Sequence, residues 1–561
     1  MKKICKVVVA TFSVLSSLIG FLPASQAQPK PASARDERSY VVVFQRDSAA
    51  FAAAGVEAAA ADLTRLYGGR LVKTWQRTLP AALLDLSPEA ARRLAKDPLV
   101  AHVEPDALWE GVAQSPPYCG SGTLLHQAST LPPSSQTIDC LVWGSCEDNV
   151  ALDRLDQELS PLDGSYGFGK IGTGVHIYFL DSGIAGHQEF LGAGGASRIG
   201  AGRNFASHDS GDPLCRFGCT INPTDVYDAD GHGTHIAAVA AGRRYGVAKG
   251  ATIHPVRVVF HGFSRTSWII DGLEWIAANA ERPAVVNISL NFWVPCPIGV
   301  FEDEADHLAM DEAFVNLIEE HGIAVVNSAG NFNLRASQFS PTRVEEVIVV
   351  GGIDNADTRW ASASPGDPCN CPPPPTSCPM TCQRSAYSQC GSNWGPELDL
   401  FARATDILSA WPDGLVSDGA CAQTGTSMSA PLVTGLAALY LESFPSATPS
   451  AVRQALLSRA SVGVLTGNLG VGSPNLLAYG DQPPEPSLAV SCTGLACTYN
   501  ASGSTDDFGV TSYKWDFGDG TGCRSAQCSH TYAAAGSYLV KLQVGDSWGN
   551  VSTAQQTVTV P

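Results

Sequence analysis

Gly174-Val175-His176-Ile177-Tyr178-Phe179-Leu180-Asp181-Ser182-Gly183 is an apolar run that ends in a carboxylate and a turn. Consecutive apolar residues in a short segment predict a strand covered on both faces, as in parallel sheets. Downstream the pattern alternates between strand and helix. A helix opened by Gly233-Thr234 is followed by a strand at 252–259, a helix around 269–280 and a strand at 285–290. Segments 305–321 (helix), 323–326 (strand) and 347–350 (strand) continue the rhythm. The alternation predicts an α/β domain, a doubly wound parallel sheet with helices on both faces. It also puts chemistry at strand ends and in the loops that follow them.

Three segments carry residues for such chemistry. Asp181 ends the run above, His232 lies in Asp230-Gly231-His232-Gly233-Thr234-His235, and Ser427 lies in Gly425-Thr426-Ser427-Met428-Ser429-Ala430-Pro431. A serine hydroxyl becomes a useful nucleophile when a neutral imidazole takes its proton, and a buried carboxylate fixes the tautomer of that imidazole. Each segment alone reads otherwise: a turn aspartate, a glycine-flanked histidine, a helix N-cap serine. Ser427 opens an apolar helix at 430–441 in which Pro431 is expected within the first turn, where its missing amide costs nothing. That helix N-terminus would offer the Ser427 amide to a developing oxyanion. A second donor is expected from Asn331 in Ser328-Ala329-Gly330-Asn331, with Ala329 and Gly330 lining a roomy, apolar substrate pocket. Agreement among the segments selects acyl transfer over the separate turn and cap readings.

The chain has 561 residues, 44% hydrophobic and 16% charged, which calls for several globular domains. Acidic residues outnumber basic ones, 54 to 35, for a formal net charge of -19, which argues against nucleic acid or anionic membrane as a partner. Lys2 and Lys3, an apolar run at 7–22, and Ser25 and Ala27 form an export signal at 1–27, so the protein is expected to be secreted without a membrane anchor. Of 17 cysteines, Cys5 leaves with the signal, and an even remainder suits disulfides. Cys369, Cys371, Cys378, Cys382 and Cys390 lack the paired spacing of a zinc site and read as a stapled loop. Residues 40–106 read as β-α-β-β-α-β, a ferredoxin-like α+β unit, with Ser87-Pro88 starting its second helix. A proline-rich hinge at 481–486 precedes a β-sandwich. In it Tyr513, Trp515 and Phe517 share one strand face, and Cys492 with Cys497 and Cys523 with Cys528 are expected local staples.

On these motifs the chain resembles the subtilisin family of secreted serine proteases, closest to its proteinase K-like branch. The resemblance covers most of the chain: Asp, His and Ser occur in the family's order, and Leu152-Asp153-Arg154-Leu155-Asp156-Gln157 is similar to its mature N-terminal segment. The tail resembles PKD-type Ig-like modules through Trp515-Asp516-Phe517-Gly518-Asp519-Gly520 and His530-Thr531-Tyr532. The resemblance implies a signal peptide at 1–27, an inhibitory propeptide at 28–113, a catalytic domain at 114–482 and a PKD-type β-sandwich at 483–561. It implies a monomeric endopeptidase that cuts proteins through an acyl-enzyme and matures by self-cleavage between Asp106 and Val150. Val286-Asn287-Ile288-Ser289-Leu290 is similar to the strand that pairs with extended substrate, so Ser289 and Leu290 become substrate-binding candidates. Asn291-Phe292-Trp293 replaces the usual glycines there, and Cys215 and Cys219 are additional. No cofactor is implied for the chemistry. Structural calcium is allowed, with Asp225, Asp228 and Asp230 as contributors or simply a solvated acidic loop. The alternative reading is an adhesin that binds collagen or other insoluble protein through the PKD module, with proteolysis secondary.

Overall fold

The computed structural model describes residues 39–46, 49–110, 135–137, 150–157, 159–162, 164–206, 222–293, 308–361, 390–412, 419–480 and 482–561. The expected export signal, Cys119, Cys140, Cys146, Cys215, Cys219, and Cys369 to Cys382 of the stapled loop lie outside the described residues. The apolar run forms the strand His176–Asp181 inside a nine-stranded sheet. Its neighbours are Thr252–Arg257 on one side and Ala284–Ile288 on the other, both parallel to it. Ala324–Ser328, Ile348–Ile353 and Leu400–Arg403 extend the sheet beyond Ala284–Ile288, again in parallel.

Alternation along the strand feeds two cores. Ile177 and Phe179 join one apolar cluster, Tyr178 and Leu180 the other. Helices His232–Ala241 and Thr426–Ser443 supply the first face, and Thr266–Asn279 and Leu308–Glu319 the second. Every residue of His232–Ala241 is buried, which its small side chains permit. Each fully buried large apolar side chain contributes about 1.5–3 kcal/mol, so the two clusters fix the sheet between its helices.

The N-terminal unit has the expected order: Ser39–Phe44, Ala49–Tyr67, Arg70–Trp75, Ala81–Asp85, Pro88–Leu94 and Val100–Pro105. Ser87 caps its helix by accepting from the Ala90 amide at 3.1 Å, with Pro88 at the first helical position. One sheet face, through Tyr40, Val42 and Phe44, covers the unit's own helices; the other, through Val41, Val43 and Leu83, packs on the catalytic domain.

The C-terminal module is a two-sheet β-sandwich whose core holds Tyr499, Trp515, Phe517, Tyr532, Val540 and Leu542. Both expected staples, Cys492–Cys497 and Cys523–Cys528, are present. The expected hinge does not leave the module free. Trp548 is only 6% exposed because it inserts into the catalytic domain's core, with its ring 5.4 Å from that of Tyr440. The Arg459 guanidinium lies 3.8 Å from the Phe508 ring centroid and donates to Ser547, and Lys170 donates to the Trp548 carbonyl at 3.1 Å. Local composition could not show this, because a proline-rich linker says nothing about what the next domain buries.

Candidate active site

Asp181 ends its strand where the sheet's connections diverge to opposite sides, the position at which open α/β sheets bind ligands. The residue is fully buried, and its Oδ1 lies 2.8 Å from His232 Nδ1. His232 is the first residue of its helix, preceded by Gly231 at φ 88°, a conformation that favours glycine. At Gly233 a Cβ would stand 2.2 Å from the Gly183 carbonyl, so the close approach that brings imidazole to carboxylate requires glycine there.

Two residues hold this pair: Ser182, which sequence reasoning passed over, and Asp228, which it read only as a calcium contributor or part of a solvated loop. The Ser182 amide donates to Asp181 Oδ1 at 2.8 Å, and Ser182 Oγ lies 2.8 Å from Asp228 Oδ1. Buried Asp228 also accepts from the amides of Asp230, Gly231 and Thr234 and from the Thr234 hydroxyl, at 2.7–3.0 Å. A carboxylate so fully engaged orders the turn leading to His232. It does not fit a calcium ligand set with Asp225 and Asp230, and it is not solvated; exposed Asp225 is the solvated member. Asp230 instead accepts from the His261 amide at 3.0 Å.

Burial alone would depress the pKa of His232, but the charge and hydrogen bond of Asp181, helped by Asp228 and Asp230, raise it above the ordinary 6.5. With Nδ1–H donated to Asp181, Nε2 carries the lone pair. The motif's other histidine, His235, is a scaffold residue: burial pulls it down to about 3, and Nε2 lies 3.0 Å from the carbonyls of both Ile407 and Cys421.

Ser427 is the second residue of helix Thr426–Ser443 and only 8% exposed. The helix starts earlier than expected, so Pro431 lies beyond the first turn and its missing amide leaves the Ser427 carbonyl without a helical partner. Ser289 Oγ donates to that carbonyl at 3.0 Å, while Ser427 Oγ donates to the Ser289 carbonyl at 3.3 Å. The hydroxyl therefore makes no hydrogen bond to His232 here; contacts of this kind commonly tighten when substrate binds. Asn331 Oδ1 accepts from the Thr426 amide at 2.9 Å and hydroxyl at 2.8 Å, which orients its Nδ2 beside Gly425. Thr426 Oγ1 also accepts from the Gly330 amide at 3.0 Å, and Asn393 Nδ2 donates to the Ala329 carbonyl at 2.8 Å. Thr426 and Asn393 thus position the segment carrying Ala329, Gly330 and Asn331. Neither has a signature readable without the fold.

Leu290 and Ala329 are fully buried, and Ser289 nearly so. A short strand of the N-terminal unit, Leu108–Glu110, pairs antiparallel with Phe263–Arg265, an edge that the sequence did not single out. Trp109 packs edge-on against Phe292 at 5.6 Å and reaches Thr266 Oγ1 at 3.3 Å. Phe292, where glycine was expected, thereby contacts a chain laid on that edge.

The helix that begins with His232, paired to Asp181, packs against the helix whose N-terminus carries Ser427, with the Asn331 amide oriented at that N-terminus, an arrangement suited to acyl transfer by a serine hydrolase. Residues 172–483 match the subtilase family and residues 482–560 match the PKD domain. An extracellular serine proteinase of Thermus sp. (strain Rt41A) is 35% identical over 428 residues, 76% of this chain and 81% of that protein. Alkaline serine exoprotease A of Vibrio alginolyticus is 32% identical over 419 residues, 74% of this chain and 61% of that protein. The crystal structure of a cold adapted subtilisin-like serine proteinase shares 33% identity at a TM-score of 0.45, covering 59% of this chain and 97% of that one. The chain belongs to the subtilase family. It is a serine-type endopeptidase with a C-terminal PKD domain, and its chemistry needs no cofactor.

Proposed function

We propose that the protein is a secreted, self-processing endopeptidase in which Ser427 attacks the scissile carbonyl, His232 takes and returns the proton, and Asp181 orients the imidazole. The Ser427 amide and Asn331 Nδ2 would hold the oxyanion. The observation that carries this reading is the 2.8 Å contact between His232 and Asp181 beside the helix that begins at Thr426. Because the base must be neutral and its pKa is raised, activity should fall away on the acid side at a pH above 6.5. A serine-directed fluorophosphonate should label the mature enzyme and not a Ser427→Ala variant; equal labelling of both would end the assignment.

The proposed division is 1–27 signal peptide, 28–113 propeptide, 114–482 catalytic domain and 483–561 PKD module. Pairing of Leu108–Glu110 with Phe263–Arg265 supports self-cleavage shortly beyond Glu110, with substrate running between that edge and Ser289-Leu290, over Ala329 and Gly330. Secretion is supported by the export signal and by the extracellular relative from Thermus. Among the described residues no helix is long and apolar enough to cross a membrane. A structural calcium ion rests on the family resemblance alone, away from saturated Asp228. Binding of insoluble protein such as collagen rests on the PKD match. Retention of the full-length Ser427→Ala chain on collagen fibres would support it, and passage without delay would refute it.

A further inference from the structure

The opposite end of the catalytic strand carries a second cluster of chemical groups. His176 begins the strand that Asp181 ends, and Thr252 pairs with it across the sheet. Two residues further on, His254 therefore lies on the same face as His176. His254 Nδ1 lies 2.9 Å from the Ala201 carbonyl, which can only accept, so Nδ1 carries the hydrogen and Nε2 the lone pair. That Nε2 lies 2.9 Å from His176 Nδ1. The His254 ring is stacked on Tyr178 at 4.3 Å and roofed by Gly200, where a Cβ would come within 2.4 Å of it. The Tyr178 hydroxyl in turn accepts from the Glu281 amide at 2.9 Å, fixing the backbone from which the Glu281 carboxylate rises. Glu281 Oε2 lies 4.0 Å from His176 Nε2, and one potential ligand atom from each of the three residues falls within 4.8 Å of the others.

We propose that His176, His254 and Glu281 form a binding site for a divalent transition-metal ion such as zinc, remote from Ser427. Two imidazoles and a carboxylate match the ligand preferences of zinc and leave a fourth tetrahedral position for water. Bond lengths of about 2.0–2.2 Å require the two ring nitrogens to part only slightly from their present separation. The hydrogen bond from His254 to Ala201 is the kind of outer contact that holds a metal-bound imidazole in one tautomer. Glu281 is exposed, so an ion can reach the site from solvent. The strand between this cluster and Asp181 spans roughly 17 Å, which separates the two sites.

The test uses the full-length chain carrying Ser427→Ala, stripped of metal and titrated with zinc by calorimetry, beside versions that add His176→Gln or Glu281→Gln. The parent should bind one equivalent more than the His176→Gln version, and Glu281→Gln should weaken that equivalent roughly tenfold. Equal zinc stoichiometry in the parent and a folded His176→Gln version overturns the proposal. Should circular dichroism show that version unfolded, the decision passes to Glu281→Gln, where unchanged zinc affinity overturns it.

Discussion

The catalytic domain carries a guest at each end of its sequence, and the two are held differently. The N-terminal unit brings ionisable groups into its contact. Its Glu104 accepts from the Ala309 amide at 3.3 Å, and its Asp106 accepts from the Ser267 amide at 2.8 Å. Asp271 of the catalytic domain receives Lys73 and, at 2.7 Å, the Trp75 ring nitrogen, while Glu274 gathers the amides of Gln76, Arg77 and Thr78 at 2.8–3.0 Å. The C-terminal module is held by the buried Trp548 ring and by Arg459, whose guanidinium lies over the Phe508 ring and donates to Ser547. Buried carboxylates that return to water on separation make a contact that pH can loosen; an aromatic ring seated in a core makes one with no such group.

The strongest way to break this contrast is Trp548→Ala. Losing a buried tryptophan at the tail contact should cost about 3–5 kcal/mol and lower the melting temperature of the whole chain. If the tail melted separately, with the catalytic transition unchanged, the module would be a loose appendage after all. Glu274→Ala probes the other side. It removes the shared acceptor of three amides, of which that of Thr78 is buried, so inhibition of the mature enzyme by the separate propeptide should weaken by about 1.5–3 kcal/mol, while turnover of a small peptide stays the same. A parallel loss of turnover would mean that Glu274 supports the catalytic fold itself.

The same contact should also make that inhibition depend on pH. Burial pushes the Glu104 carboxyl from 4.5 up to about 8, against the Ala309 amide, which lowers it. The docked form therefore keeps a proton that the released form gives up, so the Glu104 contribution is complete below about pH 4.5 and lost as pH rises through about 8. Propeptide affinity should fall with rising pH across that window, by at most about tenfold per unit for one proton, and Glu104→Gln should flatten the slope. An affinity that grows with pH would reverse the assigned direction.

Much of this was legible in the chain itself. Asp181, His232, Ser427 and Asn331 each sit in a contiguous stretch whose glycines and flanking strand or helix are local features, so their placement follows from local rules. The ferredoxin-like unit was readable for the same reason: caps, alternation and helix breaks are written over a few neighbours. What escaped was long-range. Thr426, Asn393, Ser182 and Asp228 act through partners tens of residues away. The Phe263–Arg265 edge is three residues long, too short to carry a period. Trp548 resembles any sandwich aromatic until the surface it enters is known.

Pro431 reaches further than its own helix. With any other residue there, the backbone ladder would close on the Ser427 carbonyl and leave the Ser289 hydroxyl tied only to the Asn287 side chain. An engineer who replaced this proline to straighten the helix would trade a clamp between two layers of the enzyme for one more rung inside a single layer.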